Sequence, residues 1–191
     1  MLHTGRVLYH KKDRFVLRTR RGFGRIPTMG IMDKVPAAAE RLVRVLAERK
    51  MTCATAESCT GGGGGYAITA VPGSSAVFWG GVVSYDNSVK RDVLCVPAEV
   101  LETKGAVSSE CAAAMAEGVR RRLGTDLAVS VTGIAGPDGG SVEKPVGLVW
   151  FGLASKTGTI TEMKMFSGDR ETVRASAVEY ALQLLLSAAL A

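Results

Sequence analysis

Helix-period and strand-period segments alternate along this chain, and that alternation restricts it to a sheet covered by helices on its faces. Ala38, Ala39, Leu42, Val45 and Leu46 recur at helical spacing behind Pro36, a residue suited to a first helical turn. Residues 52–56 form a short β-prone run, 61–69 can open a second helix, and 76–85 read as a buried strand. Short helices are expected over 87–94 and 98–104, and a longer one over 109–123. Ser108 or Ser109 can cap that longer helix, and Glu110 favours its positive end. Arg120, Arg121 and Arg122 occupy its last turn before Gly124, which reads as a dipole complement on a solvated face. Residues 126–132 alternate as a strand, and 133–145 form a loop rich in glycine. The runs 146–154 and 159–166 flank Lys156-Thr157-Gly158 as a hairpin, and a helix over 169–188 closes the chain. The expected fold is α/β: a three-layer α/β/α domain with a mixed, mostly parallel sheet.

The 191 residues suit one domain with a short extension, and 47% hydrophobic residues supply a sizeable core. The net charge of +6 invites a nucleic-acid reading, but its distribution opposes one. Residues 1–32 hold eight Lys/Arg and one acid, whereas 33–191 hold sixteen basic and seventeen acidic residues. The positive excess is confined to a basic N-terminal leader, 1–32, expected to be poorly packed, and the body 33–191 is no basic binding surface. No run reaches bilayer-spanning length free of interruption, since Glu179 and Gln183 break the apolar C-terminal stretch. The four cysteines, Cys53, Cys59, Cys95 and Cys111, lack paired metal-site spacing and are expected to be reduced, in a cytoplasmic protein. Both histidines, His3 and His10, lie in the leader. The body can therefore build neither a Ser-His-Asp triad nor a histidine zinc site, so any base must be Lys, Tyr, Asp or Glu. No metal and no cofactor is expected.

Four segments could carry chemistry. The first is Ala56-Glu57-Ser58-Cys59-Thr60-Gly61-Gly62, which joins a strand to a helix, the junction where open α/β sheets bind ligands. Amides there could stabilise the oxyanion formed when a serine attacks a carbonyl, although Ser58 or Thr60 could equally serve only as a helix cap. The second is Ser84-Tyr85-Asp86-Asn87-Ser88-Val89-Lys90. Lys90 is a candidate base if burial lowers its pKa, and Tyr85 could relay a proton or orient the nucleophile; the alternative is an exposed helical lysine. The third is the strand end at Thr132-Gly133 and its loop to Gly140, where amides and the Thr132 hydroxyl could hold a phosphate or polar group. The fourth places Arg170 just after the cap residue Asp169, against the helix dipole, which an anion such as phosphate would rationalise.

Together these segments resemble the C-terminal domain of the competence/damage-inducible CinA family, which includes stand-alone nicotinamide-nucleotide amidohydrolases. The resemblance runs from about Val35 to Leu186. It is carried by AESCTGG (56–62), VPGSSAVFWGGVVSYDNSVK (71–90), GAVS (105–108), VTGIAGPDGG (131–140), EKPVG (143–147) and FSGDR (166–170). It implies deamidation of nicotinamide mononucleotide to nicotinate mononucleotide and ammonia, without metal. By motif position Ser58 would be the nucleophile, Lys90 its base and Tyr85 a supporting catalytic residue. Thr60, Gly61, Gly62, Thr132, Gly133 and Arg170 would form the substrate-binding set. The expected partners are this small molecule and further copies of the chain, with no membrane and no nucleic acid.

The chain departs from the family pattern at two places. Gly63-Gly64-Gly65 stand where apolar helix formers are usual, so the helix after the nucleophile is expected to start late; Cys95 stands where glycine is common. Two other functions compete: a catalytically impaired nucleotide-binding member, and a DNA-uptake or repair accessory using the basic leader. A likeness to penicillin-recognising serine enzymes fails, because Tyr85-Asp86-Asn87 precedes Ser141-Val142-Glu143-Lys144 and Gly139, Gly140 and Pro145 oppose a helix there.

Overall fold

A computed structural model describes residues 34–191, so the leader expected over 1–32 lies outside the described residues. Helix α1, Lys34–Arg49, buries Ala39, Leu42, Val43, Val45 and Leu46. Strand β1, Cys53–Glu57, follows, then α2, Gly63–Thr69, and β2, Phe78–Val83. Two short helices come next, α3 (Asn87–Asp92) and α4 (Ala98–Thr103). Helix α5, Ser109–Leu123, has Ser108 as its cap, accepting a hydrogen bond from the Cys111 amide, and Gly124 in the left-handed conformation at its other end. Strands β3 (Leu127–Gly133), β4 (Leu148–Ser155) and β5 (Gly158–Met165) complete the sheet, and α6, Arg170–Leu190, closes the fold.

The strand order is β2-β1-β3-β4-β5. Strands β2, β1 and β3 run parallel to one another, while β4 runs antiparallel to both β3 and β5. Four of the five strands thus point the same way, and the hairpin β4–β5 supplies the reversed one. The side-chain alternation of β1 divides the core. Cys53 shares a cluster with Leu42, Leu46, Ile68 and Leu185 of α1, α2 and α6, whereas Ala54 and Ala56 face Cys111, Met115 and Val119 of α5. Each fully buried leucine contributes roughly 1.5–3 kcal/mol. This is the expected three-layer α/β/α arrangement.

Three details differ from the sequence reading. The buried strand expected over 76–85 is the shorter, half-exposed β2, because it lies at the sheet edge with a partner on one side only. Strand β3, expected to alternate, is buried at every position from Leu127 to Thr132, because it is central and covered by helices on both faces. Helix α6 is long and apolar enough by composition to cross a membrane, yet half of its most apolar window is packed inside the fold. Glu179 and Gln183 stand one turn apart on it and bond to each other through their side chains.

Candidate active site

The parallel run of β2, β1 and β3 carries three of the sequence motifs to one edge of the sheet. Glu57 pairs with Val83 on one side and Val131 on the other, so Ser58, Ser84 and Thr132 emerge side by side. The Ser58 amide donates to the Val131 carbonyl at 2.9 Å, and the Ser84 amide donates to the Glu57 carbonyl at 2.7 Å. These bonds extend the ladders just past the strands and hold the nucleophile candidate at their ends.

Lys90 comes from α3, whose cap Asp86 accepts a hydrogen bond from the Ser88 amide at 2.8 Å. One turn into this helix the lysine points inward and is only 1% exposed. Its Nζ lies 3.2 Å from Ser58 Oγ, 2.6 Å from the Ser84 carbonyl oxygen and 3.2 Å from that of Tyr85. Burial lowers its pKa below the ordinary lysine value, outweighing the opposing influence of Cys111, Asp86 and Cys59. No carboxylate is salt-bridged to it among the described residues. A neutral amine has two N–H donors and one lone pair. In that state, with the two carbonyls taking the donors, the lone pair would face the serine hydroxyl as a base requires; protonated, Nζ donates to Ser58 Oγ instead.

The neighbouring thiols do not compete as nucleophiles. Burial pushes Cys59 up to about 11 and Cys111 likewise to about 11, so both are protonated at neutral pH. The cysteines among the described residues are all free thiols.

The other predicted residues take more varied positions. The Tyr85 side chain is exposed, and its hydroxyl meets Arg170 Nη2 at 3.5 Å; the part of Tyr85 that touches Lys90 is its carbonyl. Arg170 Nη1 donates to the Gly136 carbonyl at 2.8 Å, so one guanidinium joins the Tyr85 segment to the loop after β3. Asp169 is the cap of α6, as expected, accepting from the Thr172 amide at 2.8 Å. The Thr60 hydroxyl is committed to Glu57, and the Thr132 hydroxyl to the Ala106 carbonyl at 2.7 Å. Each hydroxyl thus has its proton engaged within the protein, and only its lone pairs remain to accept from a ligand. A Cβ at Gly133 would lie 2.6 Å from the Leu148 carbonyl oxygen, so close packing against β4 requires glycine there. Gly61 and Gly62 both have positive φ, 62° and 93°, and turn the chain from Ser58 into α2. That helix begins at Gly63 and forms across the glycine run, so the run does not delay its start, contrary to expectation.

Two residues of this region were not singled out by sequence reasoning. Glu57 is a buried acid inside the first motif, and its position between a strand and a glycine run was the available signal. Arg174 donates from Nη2 to the Thr60 carbonyl at 2.9 Å, and its Nε is buried with no partner among the described residues. It lies one helical turn beyond Arg170, a spacing that places both on one face of α6. A cavity of about 600 Å³ opens between α1, α2 and α6, bounded by Val35, Tyr66, Ala70, Thr60, Arg170 and Arg174. It borders the nucleophile loop but does not include Ser58 or Lys90. Among the described residues no group of His, Cys, Asp and Glu side chains could hold a metal ion.

Comparison with known proteins supplies the family. A CinA-like protein of Synechococcus sp. (strain RCC307) is 51% identical over 150 residues, covering 77% of this chain and 36% of that protein. The chain thus spans little more than a third of the length of the curated relatives it matches. The crystal structure of the competence/damage inducible protein CihA from Agrobacterium tumefaciens has a TM-score of 0.78 at 42% identity, covering 81% of this chain and 94% of that one. The CinA superfamily protein KP700603 from Klebsiella pneumoniae has a TM-score of 0.79 at 36% identity, covering 82% and 98%. Residues 36–189, from the first turn of α1 to the end of α6 and including every segment that builds the Ser58–Lys90 site, match the CinA C-terminal domain, and the chain belongs to that family.

Proposed function

We propose that the domain is an amidohydrolase that converts nicotinamide mononucleotide to nicotinate mononucleotide and ammonia. The observation that carries this reading is the buried amine of Lys90 set 3.2 Å from the Ser58 hydroxyl. Neutral Lys90 accepts the Ser58 proton as the oxygen attacks the carboxamide carbon. The C–N bond breaks, the proton passes to the departing nitrogen, and ammonia leaves an ester on Ser58. Water, deprotonated by the same amine, then attacks the ester; the carboxylic acid is released and the serine hydroxyl restored. Arg170, held beside the loop after β3, is the candidate for the phosphate, since a guanidinium matches phosphate geometry. In this reading the reaction belongs to cytoplasmic pyridine-nucleotide metabolism.

The test is ammonia release from nicotinamide mononucleotide, nicotinamide riboside and nicotinamide. Release from the mononucleotide alone is the expected result, and release from all three at similar rates would remove the phosphate handle. Ser58→Ala is expected to abolish release while leaving the thermal unfolding transition in place. Wild-type turnover in that variant would refute the nucleophile.

A further inference from the structure

Glu57 and Lys90 are the two charged side chains that are buried among the described residues, and only Lys90 has a part in the reaction above. A buried carboxylate is costly unless hydrogen bonds replace its water. Glu57 takes three. Oε2 accepts from Thr60 Oγ1 at 2.7 Å and from the Gly64 amide at 3.0 Å, and Oε1 accepts from the Gly65 amide at 2.9 Å. Helix α2 has seven residues, three of them glycine, and its cap residue Gly62 offers no side-chain acceptor. Such a helix is marginal alone. Glu57 caps it from the neighbouring strand.

This arrangement decides which amides near the nucleophile remain available. Those of Gly64 and Gly65 are taken by Glu57, and that of Ser58 by the Val131 carbonyl. The Gly61 amide donates to the Ser58 carbonyl at 3.0 Å and closes a tight turn. The two central amides of that turn, Cys59 and Thr60, donate to nothing among the described residues. The Gly62 amide likewise donates to nothing there; Cys59 and Thr60 are the free donors that adjoin the serine in the chain and can meet negative charge on an attacked carbonyl oxygen.

We propose that Glu57 is a positioning residue for acyl transfer. Its carboxylate pins the Thr60 side chain and the first turn of α2, and so holds the Cys59 and Thr60 amides on the oxyanion formed by attack of Ser58. The proposal rests on the serine–lysine reading given above but not on the identity of the substrate.

The experiment is Glu57→Gln, which keeps the size and one acceptor oxygen but sets an NH₂ against one of the three donors. Reaction with p-nitrophenyl acetate transfers the acetyl group to Ser58 and releases p-nitrophenolate in a burst. The burst amplitude counts competent sites, and its rate reads the acylation step. The expected result is a near wild-type amplitude with a burst about 10–100-fold slower. Turnover of nicotinamide mononucleotide should fall in proportion, with KM within about twofold, since the lost interaction belongs to the transition state. Thr60→Val, which removes one donor to Glu57 and keeps the side-chain shape, should slow the burst by a smaller factor and covers the case in which the first variant does not fold. An unchanged burst rate per site in either folded variant would overturn the role. A wild-type burst without ammonia release from the mononucleotide would sink the substrate reading and leave the Glu57 test standing. No burst from the wild type would remove the nucleophile, and the role of Glu57 with it.

Discussion

The glycine run after the nucleophile makes three similar substitutions that the structure separates. At Gly65 an added Cβ would sit 3.5 Å from the ring of Phe78 and 3.8 Å from Glu57 Oε1, ordinary contact distances. At Gly64 it would lie 3.0 Å from Glu57 Oε1, and at Gly63 2.8 Å from Val178 Cγ2. Alanine is favoured over glycine in a helix by about 1 kcal/mol. Gly65→Ala should recover most of this, because its amide still donates to Glu57 and nothing has to move. For a domain of this size about 1 kcal/mol corresponds to a rise of about 2–4 °C in Tm. Gly63→Ala should lose that gain, because Val178 is buried and its branched side chain has little freedom to retreat. Thermal unfolding followed by circular dichroism at one pH reads both. A Gly63→Ala protein as stabilised as Gly65→Ala would refute the packing argument, and no rise in Gly65→Ala would refute the helical cost assigned to the run.

Cys95→Gly should also stabilise, by about 1 kcal/mol, because Cys95 is exposed and held at φ 58°, where a side chain is disfavoured; chemical denaturation should show a higher midpoint at unchanged slope. The kcat/KM of ammonia release should fall as pH drops through the lowered pKa of Lys90, and a flat profile down to acidic pH would exclude it as the base. The same shift has a stability sign. Between the depressed folded value and the ordinary lysine value the unfolded chain binds more protons, so Lys90 makes the wild type gain stability as pH rises through that window. Lys90→Met should flatten that part of the stability profile in urea titrations at several pH values, and an unchanged slope would contradict the burial effect.

Much of the site was legible in the sequence because its parts are short local patterns. A β-prone run followed by Ser58 and glycines, a cap at Asp86 ahead of Lys90, and Asp169 ahead of Arg170 each encode a strand end or helix start. Hydrophobic period likewise marked α1, α5, α6 and the hairpin to within a few residues. Burial was less legible. The run around β2 is apolar enough to read as buried, and only its place in the sheet order exposes Trp79 and Val83. The Thr132 hydroxyl reads as a ligand group and Thr60 as a cap or substrate-binding residue, yet the Thr60 hydroxyl donates to Glu57 and that of Thr132 to a carbonyl 26 residues away.

The amino-acid sequence by itself determined the α/β alternation, the absence of histidine after the leader and therefore the restriction to a lysine, tyrosine or carboxylate base. These follow from periodicity and residue inventory, which need no knowledge of neighbours. Only the tertiary structure decided that Lys90 is a buried amine against Ser58 rather than an exposed helical cation, that Tyr85 contributes a carbonyl there, and that Glu57 occupies the amides of α2. The physical reason is that desolvation and hydrogen-bond commitment depend on groups far apart in the chain, and parallel strands bring those groups together at one end of the sheet.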